Sequence, residues 1–272
     1  MPNLFDAADA SVSAKAVRSV KRGSTISIVS LNVQSAGRER FAKIFNYIKD
    51  INPDIVVLSE VKDTSATSEF LDRMDLYGYK DTSLGKRGLD AYYTVILRGI
   101  NGKSLTVDTE SLRARVAITR IEVVGKKDIY IIGIYAPAYG ALNLDKRKRF
   151  FSDLSNNVLS RICMAEKHVL LIGDFNMVEE TYHRHIPAAV RESIPYFAKF
   201  LEHGLSDSVR HLYPEKAGYT WISPQTGEGQ RLDHVFSTPE VQSWIRILSI
   251  DDSCRQSKIS DHSAIHVGIT VS

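Results

Sequence analysis

Short β-branched runs alternate along the chain with stretches in which apolar residues recur every three or four positions. A strand is predicted at 25–33 (TISIVSLNV), and a helix at 39–51 that stops before Pro53. The next run, DIVVLSEV at 54–61, predicts another strand. This strand is too apolar to be half exposed, so it indicates a sheet that is covered on both faces.

The same alternation continues to the carboxyl end, with helices predicted at 145–162 and at 193–204. The further predicted strands are 92–97, 115–123, 128–136, 168–176, 232–238 and 263–271. Alternating and antiparallel segments together predict an α/β fold of two sheets with helices outside, in one domain. Residues 1–23 show no firm period, so they are expected to form a loosely attached arm before a domain at 24–272.

Composition narrows the class of protein without giving its function. The 272 residues are 43% hydrophobic and 25% charged, which is typical of a globular chain. No apolar run approaches the ~20 residues that a membrane span needs, and the amino terminus lacks a secretory signal. Two cysteines form no disulfide framework, so a cytoplasmic location is expected. The net charge of +3 permits a polyanionic partner but does not require one.

The stretch LLIGDFNMV at 170–178 places two polar residues, Asp174 and Asn176, where an apolar strand ends. A buried carboxylate is costly unless it is paired, bound to a metal or placed at an opening. An Asp or Asn that follows a strand can also form a turn by bonding its own backbone. From this stretch alone, both interpretations stay open.

Five other segments resemble this one, because each brings acid, amide, imidazole or phenol groups to a predicted strand end. These groups are Asn32, Glu60, Tyr135, Asp233 with His234, and Asp261 with His262. Loops at the strand ends of layered α/β proteins gather into binding sites. Six such segments therefore favour a site over a simple turn at Asp174.

The oxygen-rich groups in this set suit a hard cation such as Mg²⁺, for which Mn²⁺ is expected to substitute. A phosphate ester is cleaved by an activated water, a metal at the phosphoryl oxygens and donors to the developing charge. The set contains candidates for all three. Metal-assisted hydrolysis of a phosphate ester is therefore the predicted chemistry.

The order of these motifs resembles the endonuclease/exonuclease/phosphatase superfamily, which has the DNase I-like fold. LNV, LSEVK, IYAP, IGDFN, RLDH and SDH follow one another in the order of that family, from about Ile26 to Val271. The resemblance implies a four-layer α/β sandwich, in which two mixed sheets pack face to face with helices outside. It also implies a metal-dependent phosphoesterase site between the sheet edges.

The resemblance assigns the metal and the attacking water to five positions. Glu60 would bind the metal, with Asn32 and Asp261 as the other metal residues. Asp174 would orient or deprotonate the water, and Asn176 would steady that water or a phosphate oxygen.

The scissile phosphate is assigned to residues near the other strand ends. His262 would contact the phosphate and would be held by Asp261, while Tyr135 would bond the phosphate or the leaving oxygen. Asp233 would support the site from behind, although an Asp at this position can also be a strand-start cap.

Within the superfamily, LSDSVRHLYPEKAGYTW resembles the exonuclease III and abasic endonuclease branch, and also the LINE-type endonucleases. The resemblance implies duplex DNA as the partner of a monomeric enzyme, with Lys62, Arg115 and Thr220 at the substrate. Some of the basic residues at 146–149 are expected to contact phosphates.

Three departures from that branch bear on abasic-site specificity. Gln34 replaces the usual Asp or Asn, Ala138 follows IYAP, and the loop after GDFN contains His183 and His185 instead of a further Asn. Two rival hypotheses therefore accompany the DNA phosphodiesterase. One is the same chemistry on a small or lipid-linked phosphate ester, and the other is an inactive nucleic-acid-binding module.

Overall fold

Two six-stranded mixed sheets lie at the centre of the protein. The computed structural model describes residues 17–81, 89–165, 168–179 and 188–272. The strands of the described residues are β1 Val20–Lys21, β2 Thr25–Asn32, β3 Ile55–Val61, β4 Lys80–Asp81, β5 Tyr93–Arg98, β6 Gly102–Leu105, β7 Val116–Ile121, β8 Val123–Val124, β9 Ile129–Tyr135, β10 Val169–Asp174, β11 Ser206–Asp207, β12 Trp221–Ile222, β13 Gly229–Gln230, β14 Asp233–Ser237, β15 Ile245–Asp251 and β16 Ala264–Thr270.

The helices lie on the outer faces of the sheets or in the connections between strands. The helices of the described residues are α1 Arg38–Ile51, α2 Ser65–Leu76, α3 Leu144–Asp153, α4 Ser160–Ala165, α5 Ala188–Glu202, α6 Ser208–Leu212, α7 Pro239–Trp244 and α8 Ser253–Gln256. A π-helical segment, Leu154–Leu159, joins α3 to α4 and interrupts the continuous helix predicted at 145–162. Its widened turn buries Leu154, Val158 and Leu159 together against the second sheet.

Each sheet has one parallel strand pair near its centre. The first sheet has the order β15-β16-β2-β3-β5-β4, and the second has the order β11-β14-β10-β9-β7-β6. β2 and β3 are parallel in the first sheet, as are β9 and β10 in the second, while the other neighbours are antiparallel. The carboxyl ends of a parallel pair share one sheet edge, so each sheet gathers two strand ends there.

Three apolar clusters confirm the four-layer α/β sandwich. The cluster between the sheets contains Ile28 and Val57 from the first sheet, and Ile131 and Ile172 from the second. The other two clusters lie under the helices, one with α1 and α2 and one with α3 and α5. The central strands are therefore apolar on both faces, which is why their sequences do not alternate strictly.

The strand and helix limits match the predicted ones within one or two residues for most elements. The larger differences are α5, which begins at Ala188 instead of at 193, and elements that were not predicted, such as α2 and β15. The Oγ of Thr64 caps α2 by accepting a hydrogen bond from the Thr67 N–H at 3.2 Å. The buried residues Phe70, Leu71 and Met74 then cover the first sheet.

The part of the predicted arm that the structure describes contacts the two sheets. Val20 is fully buried in the cluster between the sheets, and β1 pairs in parallel with β8. The Arg18 guanidinium donates to Asp54 Oδ2 at 2.7 Å. Residues 18–21 are therefore fastened to the sheets by pairing, burial and charge, and the domain boundary at residue 24 stays a prediction.

The cysteines and the helix lengths bear on two expectations from composition, the lack of disulfides and of a membrane span. Cys163 and Cys254 are both free thiols, and Cys254 is buried. None of the helices in the described parts of the chain is long and apolar enough to cross a membrane.

Gly133 of β9 packs tightly against β3 and β5 of the first sheet, and its replacement by Ala should destabilise the fold. A Cβ atom there would lie 2.7 Å from Val57 Cγ1 and 3.3 Å from Ile96 Cγ1. Overpacking of this kind costs about 1–3 kcal/mol of unfolding free energy. Chemical denaturation measures the loss. Gly37→Ser is the control, because a Cβ at Gly37 meets no atom within 4 Å. Equal stability of the two variants would contradict this account of the sheet contact.

Candidate active site

The polar groups predicted to form a site come together at one edge of the sandwich. Asn32 ends β2, Tyr135 ends β9 and Asp174 ends β10, so both parallel pairs contribute their carboxyl ends. β14 runs antiparallel to β10, and its first residue, Asp233, lies opposite Asp174. β16 runs antiparallel to β2, which brings the preceding segment with His262 to the same edge.

The Asn32 side chain joins the two sheets at this edge. Its Nδ2 donates to Asp174 Oδ2 at 2.8 Å and to Glu60 Oε2 at 3.1 Å. Its Oδ1 accepts from the Gln34 N–H at 2.7 Å, which fixes the orientation of the amide. In this orientation Asn32 presents N–H groups to the carboxylates and aligns them as a donor, while its role at the metal stays a prediction.

Glu60 owes its position to an irregularity in β3. The pairing of β3 with β5 shifts register between Leu58 and Val61, and Glu60 has a left-handed backbone with φ 56°. A non-glycine residue in this region is strained, so local contacts must hold it there. The Ser35 N–H donates to the Glu60 carbonyl oxygen at 3.0 Å, and the Ser35 hydroxyl lies 3.3 Å from Oε1.

Asp174 is buried, and Asn176 fixes its orientation. The Asn176 N–H donates to Asp174 Oδ1 at 2.8 Å, which is the turn that the sequence left open. The Asn176 amide also donates to Asp174 Oδ2 at 3.3 Å and to the Ala136 carbonyl oxygen at 3.0 Å. The turn and the site therefore coexist, because the turn aims a carboxylate that is only 1% exposed.

His262 is held by Asp233, which corrects the expectation that Asp261 holds it. His262 Nδ1 lies 2.7 Å from Asp233 Oδ2, and both side chains are buried. An isolated bridge between His262 and Trp221 shows that the backbone is extended here. Adjacent side chains on extended backbone point to opposite sides, so Asp261 and His262 diverge.

Asp261 instead contacts Trp221, and one of its oxygens is unsatisfied. The Trp221 indole Nε1 donates to Asp261 Oδ2 at 3.3 Å. Asp261 Oδ1 is buried and has no hydrogen-bond partner among the described residues. A carboxylate oxygen of this kind fits a cation or a substrate donor.

The close charges alter the acidity of the central pair. Burial raises the pKa of Asp174 above its ordinary value, the nearby Asp233 raises it further, and His262 opposes the rise. Burial alone would lower the pKa of His262. The charge and hydrogen bond of Asp233 outweigh burial and, with Asp174 and Asp261, raise the pKa of His262. The imidazole is therefore held in its protonated form.

Thr220 supports Asp233 instead of reaching a substrate. Its side chain is fully buried, and its hydroxyl accepts from the backbone N–H groups of Leu232 and Asp233, both at 3.1 Å. Its carbonyl oxygen accepts from the Ser263 N–H at 2.8 Å. Thr220 therefore connects the RLDH and SDH segments, which places Asp233 opposite His262.

Arg115 is committed to an ion pair, which corrects the expectation that it is open to a phosphate. Its guanidinium donates to Asp90 Oδ2 at 2.8 Å and to Asp90 Oδ1 at 3.1 Å. The guanidinium carbon also lies 4.9 Å from the centre of the Tyr135 ring. Arg115 therefore positions Tyr135, whose pKa is raised by burial and by the charges of Asp174 and Glu60. The phenol stays protonated and can donate a hydrogen bond.

Of the other basic residues expected at the substrate, Lys62 is exposed, whereas Lys146 and Arg147 form ion pairs. The exposed Lys62 holds its Nζ 5.2 Å from the centre of the Tyr92 ring, beside the site. Within the run at 146–149, Lys146 bonds Asp90 at 3.0 Å. Arg147 is fully buried and pairs with Glu192 at 3.0 Å, so it is removed from the expected phosphate contacts. His183 and His185 lie outside the described residues.

A comparison with protein families decides what this arrangement belongs to. The model of the Endonuclease/Exonuclease/phosphatase family matches residues 29–262. The chain belongs to this family. The match contains all the groups described above, from Asn32 to His262, and it confirms the resemblance read from the six motifs.

Relatives of known name place this family member near nucleases. The exodeoxyribonuclease of Bacillus subtilis (strain 168) is 24% identical over 249 residues, which cover 83% of this chain and 92% of that protein. An AP endonuclease from Archaeoglobus fulgidus is 21% identical, with a TM-score of 0.73 over 89% of this chain and 98% of that one. A 3′ phosphatase from Neisseria, bound to a product DNA hairpin, is 21% identical, with a TM-score of 0.70 over the same shares. These structures share the fold of this chain.

The donor groups of this family member fit a divalent cation. Asp174, Asp233 and His262 each offer a ligand atom, and these atoms lie within 4.8 Å of one another. Glu60 approaches from the other sheet, because one Asn32 nitrogen contacts both its carboxylate and that of Asp174. Several carboxylates this close would repel one another, and a hard cation would relieve that repulsion.

Sequence reasoning missed Ser260, which ties the site together from the SDH motif. Its hydroxyl donates to the Asn32 carbonyl oxygen at 2.6 Å and accepts from the His262 N–H at 3.1 Å. The signal was its place before Asp261, where a Ser can cap a turn. Trp221 and Asp90 were also missed, since only tertiary contacts reveal their partners.

Asp233→Asn should lower the pKa of His262 more than Asp261→Asn does. The change removes the carboxylate bonded to His262 Nδ1, so a fall of about 1–3 pH units is expected. NMR titration of the imidazole measures the pKa in each variant. A larger fall in Asp261→Asn would restore the partner expected from the sequence.

Asp90→Asn should destabilise the protein at neutral pH and flatten its acid denaturation. Partial burial raises the pKa of Asp90, but Arg115 and Lys146 outweigh it and lower the pKa to about 2. The carboxylate therefore stabilises the fold above its unfolded pKa of about 4, and this contribution disappears as the pH falls towards 2. Removing it leaves a buried guanidinium poorly paired, which costs up to about 3 kcal/mol.

Thermal unfolding between pH 7 and pH 2 tests this account of Asp90. Asp50→Asn is the control, because Asp50 is an exposed residue of α1. A parallel loss of stability in Asp90→Asn and the wild type on acidification would show that the pair with Arg115 contributes nothing.

Proposed function

We propose that this family member is a Mg²⁺-dependent phosphodiesterase that acts on DNA, an endo- or exonuclease of the exonuclease III type. The observation that carries the proposal is the arrangement of Glu60 and Asp174, which contact one Asn32 nitrogen, beside His262 paired with Asp233. This arrangement combines candidates for a metal site, a base and a protonated donor at one edge. The nuclease relatives and the DNA bound to the Neisseria phosphatase support DNA as the substrate.

The proposed metal residues are Glu60 and, through its unsatisfied oxygen, Asp261. The cation would supply positive charge at the phosphoryl oxygens of the substrate. Mg²⁺ is favoured because the set is rich in oxygen and contains no cysteine, and Mn²⁺ should substitute for it. His262 is not a ligand in this proposal, because Asp233 engages its Nδ1 at 2.7 Å and its Nε2 is assigned to the phosphate.

Asp174 is proposed as the base that takes a proton from the attacking water. Burial raises the pKa of its carboxyl, which makes the carboxylate a stronger proton acceptor than an exposed aspartate. The two hydrogen bonds from Asn176 and the one from Asn32 fix its direction. Asn176 is therefore proposed to act by orienting Asp174, and the water is placed by the carboxylate.

His262 and Tyr135 are proposed to bind the phosphate. Asp233 occupies Nδ1 of the imidazole, which leaves Nε2 as the donor to a non-bridging oxygen. The charge on such oxygens grows in the transition state, so a fixed cationic donor lowers the barrier. Tyr135 presents a protonated phenol on the neighbouring strand, and Lys62 adds an exposed positive charge at the rim.

The proposal also covers the form of the DNA, the oligomeric state and the cellular location. Duplex DNA is proposed because a relative with this fold is named an AP endonuclease. A monomer is proposed because one chain contains the whole set of residues. A cytoplasmic location is proposed on the two unpaired cysteines.

Incubation with a panel of substrates tests the function. The panel contains plasmid, abasic duplex, 3′-phosphate duplex, RNA and a phosphoinositide, each with Mg²⁺, with Mn²⁺ and with EDTA. Turnover of a DNA substrate with Mg²⁺, its loss in EDTA and its return with Mn²⁺ are expected. Turnover confined to the phosphoinositide would replace DNA by a lipid-linked ester, and binding of DNA without turnover would indicate an inactive module.

Asp174→Asn ties the activity to the proposed site. Loss of a general base lowers kcat by about 10²–10⁴-fold, while the turn through Oδ1 is kept by the Asn side chain. Circular dichroism and thermal unfolding check the fold of the variant. A near wild-type kcat would leave Asp174 as a turn former only.

A further inference from the structure

A cavity adjoins the proposed active site on the side of Asp261. Its volume is about 400 Å³, and its polar wall includes Gln34, Ser223, Lys258 and Ser260. Ser260 belongs to both places, because its hydroxyl donates to the Asn32 carbonyl oxygen and accepts from the His262 N–H. The proposed mechanism uses neither Gln34 nor Lys258.

Lys258 brings a positive charge to this cavity. Its side chain is exposed and makes no ion pair with the described residues. Its backbone is left-handed, with φ 55°, and its N–H donates to the Arg255 carbonyl oxygen at 3.2 Å. The next N–H, that of Ile259, donates to the Cys254 carbonyl oxygen at 2.9 Å, so the turn that carries Lys258 is built into the fold.

Gln34 also lines this cavity, and its amide oxygen is already engaged. Its Oε1 accepts from Arg40 Nη1 at 2.8 Å, and its carbonyl oxygen accepts from Arg40 Nη2 at 2.6 Å. Because Arg40 occupies the amide oxygen, the amide nitrogen of Gln34 remains as the group that can serve a ligand. Arg40 thus fixes the orientation of the Gln34 side chain.

The charges favour an anion over a second cation in this cavity. Lys258 and Arg255 line it together with one carboxylate, Asp261. Arg255 is shared with Asp252 at 2.9 Å, and the unsatisfied oxygen of Asp261 is already assigned to the proposed metal of the active site. A divalent cation would have a single carboxylate there and an ammonium group nearby, which is a poor oxygen cage.

We propose that this cavity is a second phosphate subsite, in which Lys258 and the Gln34 amide bind a phosphodiester next to the scissile one. The inference rests on the proposed function and extends it to the substrate class. A substrate must carry at least two phosphates along one strand to use both places. Nucleic acids have this property, whereas an isolated phosphate ester does not.

The first test measures binding of a short DNA duplex by fluorescence anisotropy, with EDTA present so that no cleavage occurs. Lys258→Ala should weaken binding about fivefold to tenfold at 0.1 M salt, and should reduce the slope of log affinity against log salt by about one. Lys126→Ala is the matched control, because Lys126 is exposed in the turn before β9, at the end of that strand opposite to Tyr135. Equal effects of the two variants would overturn the subsite.

The second test locates the phosphate. Each linkage of one strand is replaced in turn by an uncharged methylphosphonate, in a duplex with one abasic-site analogue that fixes the register. Replacement of one linkage adjacent to the analogue should weaken binding by the wild type but not by Lys258→Ala. Such a result shows that this phosphate and the Lys258 side chain interact with each other. Additive losses at every linkage would overturn the proposal. An increase in Mn²⁺ affinity of Lys258→Ala without any change in DNA affinity would instead assign the cavity to a cation.

Cleavage of the same duplex by the wild type with Mg²⁺ separates this inference from the proposed function. If the linkage replacement and Lys258→Ala prove coupled but the wild type does not cleave the duplex, the subsite stands and the proposed nuclease activity is overturned. If the wild type cleaves the duplex but the linkage replacement and Lys258→Ala are not coupled, the nuclease activity stands and the subsite is overturned. A wild type that neither binds nor cleaves DNA would overturn both.

Discussion

The hydrogen bonds of the Asn32 amide are the interaction on which the active site depends. Its nitrogen contacts Glu60 from its own sheet and Asp174 from the other, so it holds two carboxylates that would otherwise repel each other. Its oxygen is anchored by the Gln34 N–H, and its carbonyl by the Ser260 hydroxyl. Because Asn32 is only 1% exposed, this alignment is insulated from water, which strengthens each contact. The sandwich brings the two sheet edges together, and Asn32 converts that proximity into a defined geometry.

The sequence predicts the framework well for a physical reason. Strands apolar on both faces, such as β3 and β10, are recognisable from composition alone, and polar residues stand out where these strands end. The gathering of Asn32, Tyr135 and Asp174 at one edge follows from parallel pairing, which a sequence of alternating strands and helices implies. The missed helix α2 has weaker amphipathic contrast than α1, so its period was less visible.

The individual partners of the site residues could not be predicted in the same way. His262 pairs with Asp233, which lies 29 positions earlier in the sequence, while its neighbour Asp261 faces elsewhere. Arg115 and Thr220 carry groups that could contact a phosphate, yet the fold uses the first to bind Asp90 and the second to accept two backbone N–H groups. Motifs identify which residues lie near a site. Whether a side chain faces the substrate or supports its neighbour depends on tertiary contacts that spacing does not encode.

Left-handed backbone at non-glycine residues is concentrated at this edge of the protein. Gln34, Ser35, Glu60 and Asn176 all have φ between 47° and 56°. Each such residue costs about 1 kcal/mol or more relative to a relaxed backbone. Glycine would occupy these places more comfortably, but it has no carboxylate or amide to offer. Conformational strain is thus retained where side-chain chemistry is needed, and a descendant of this chain released from catalysis would be free to gain stability by acquiring glycine at those positions.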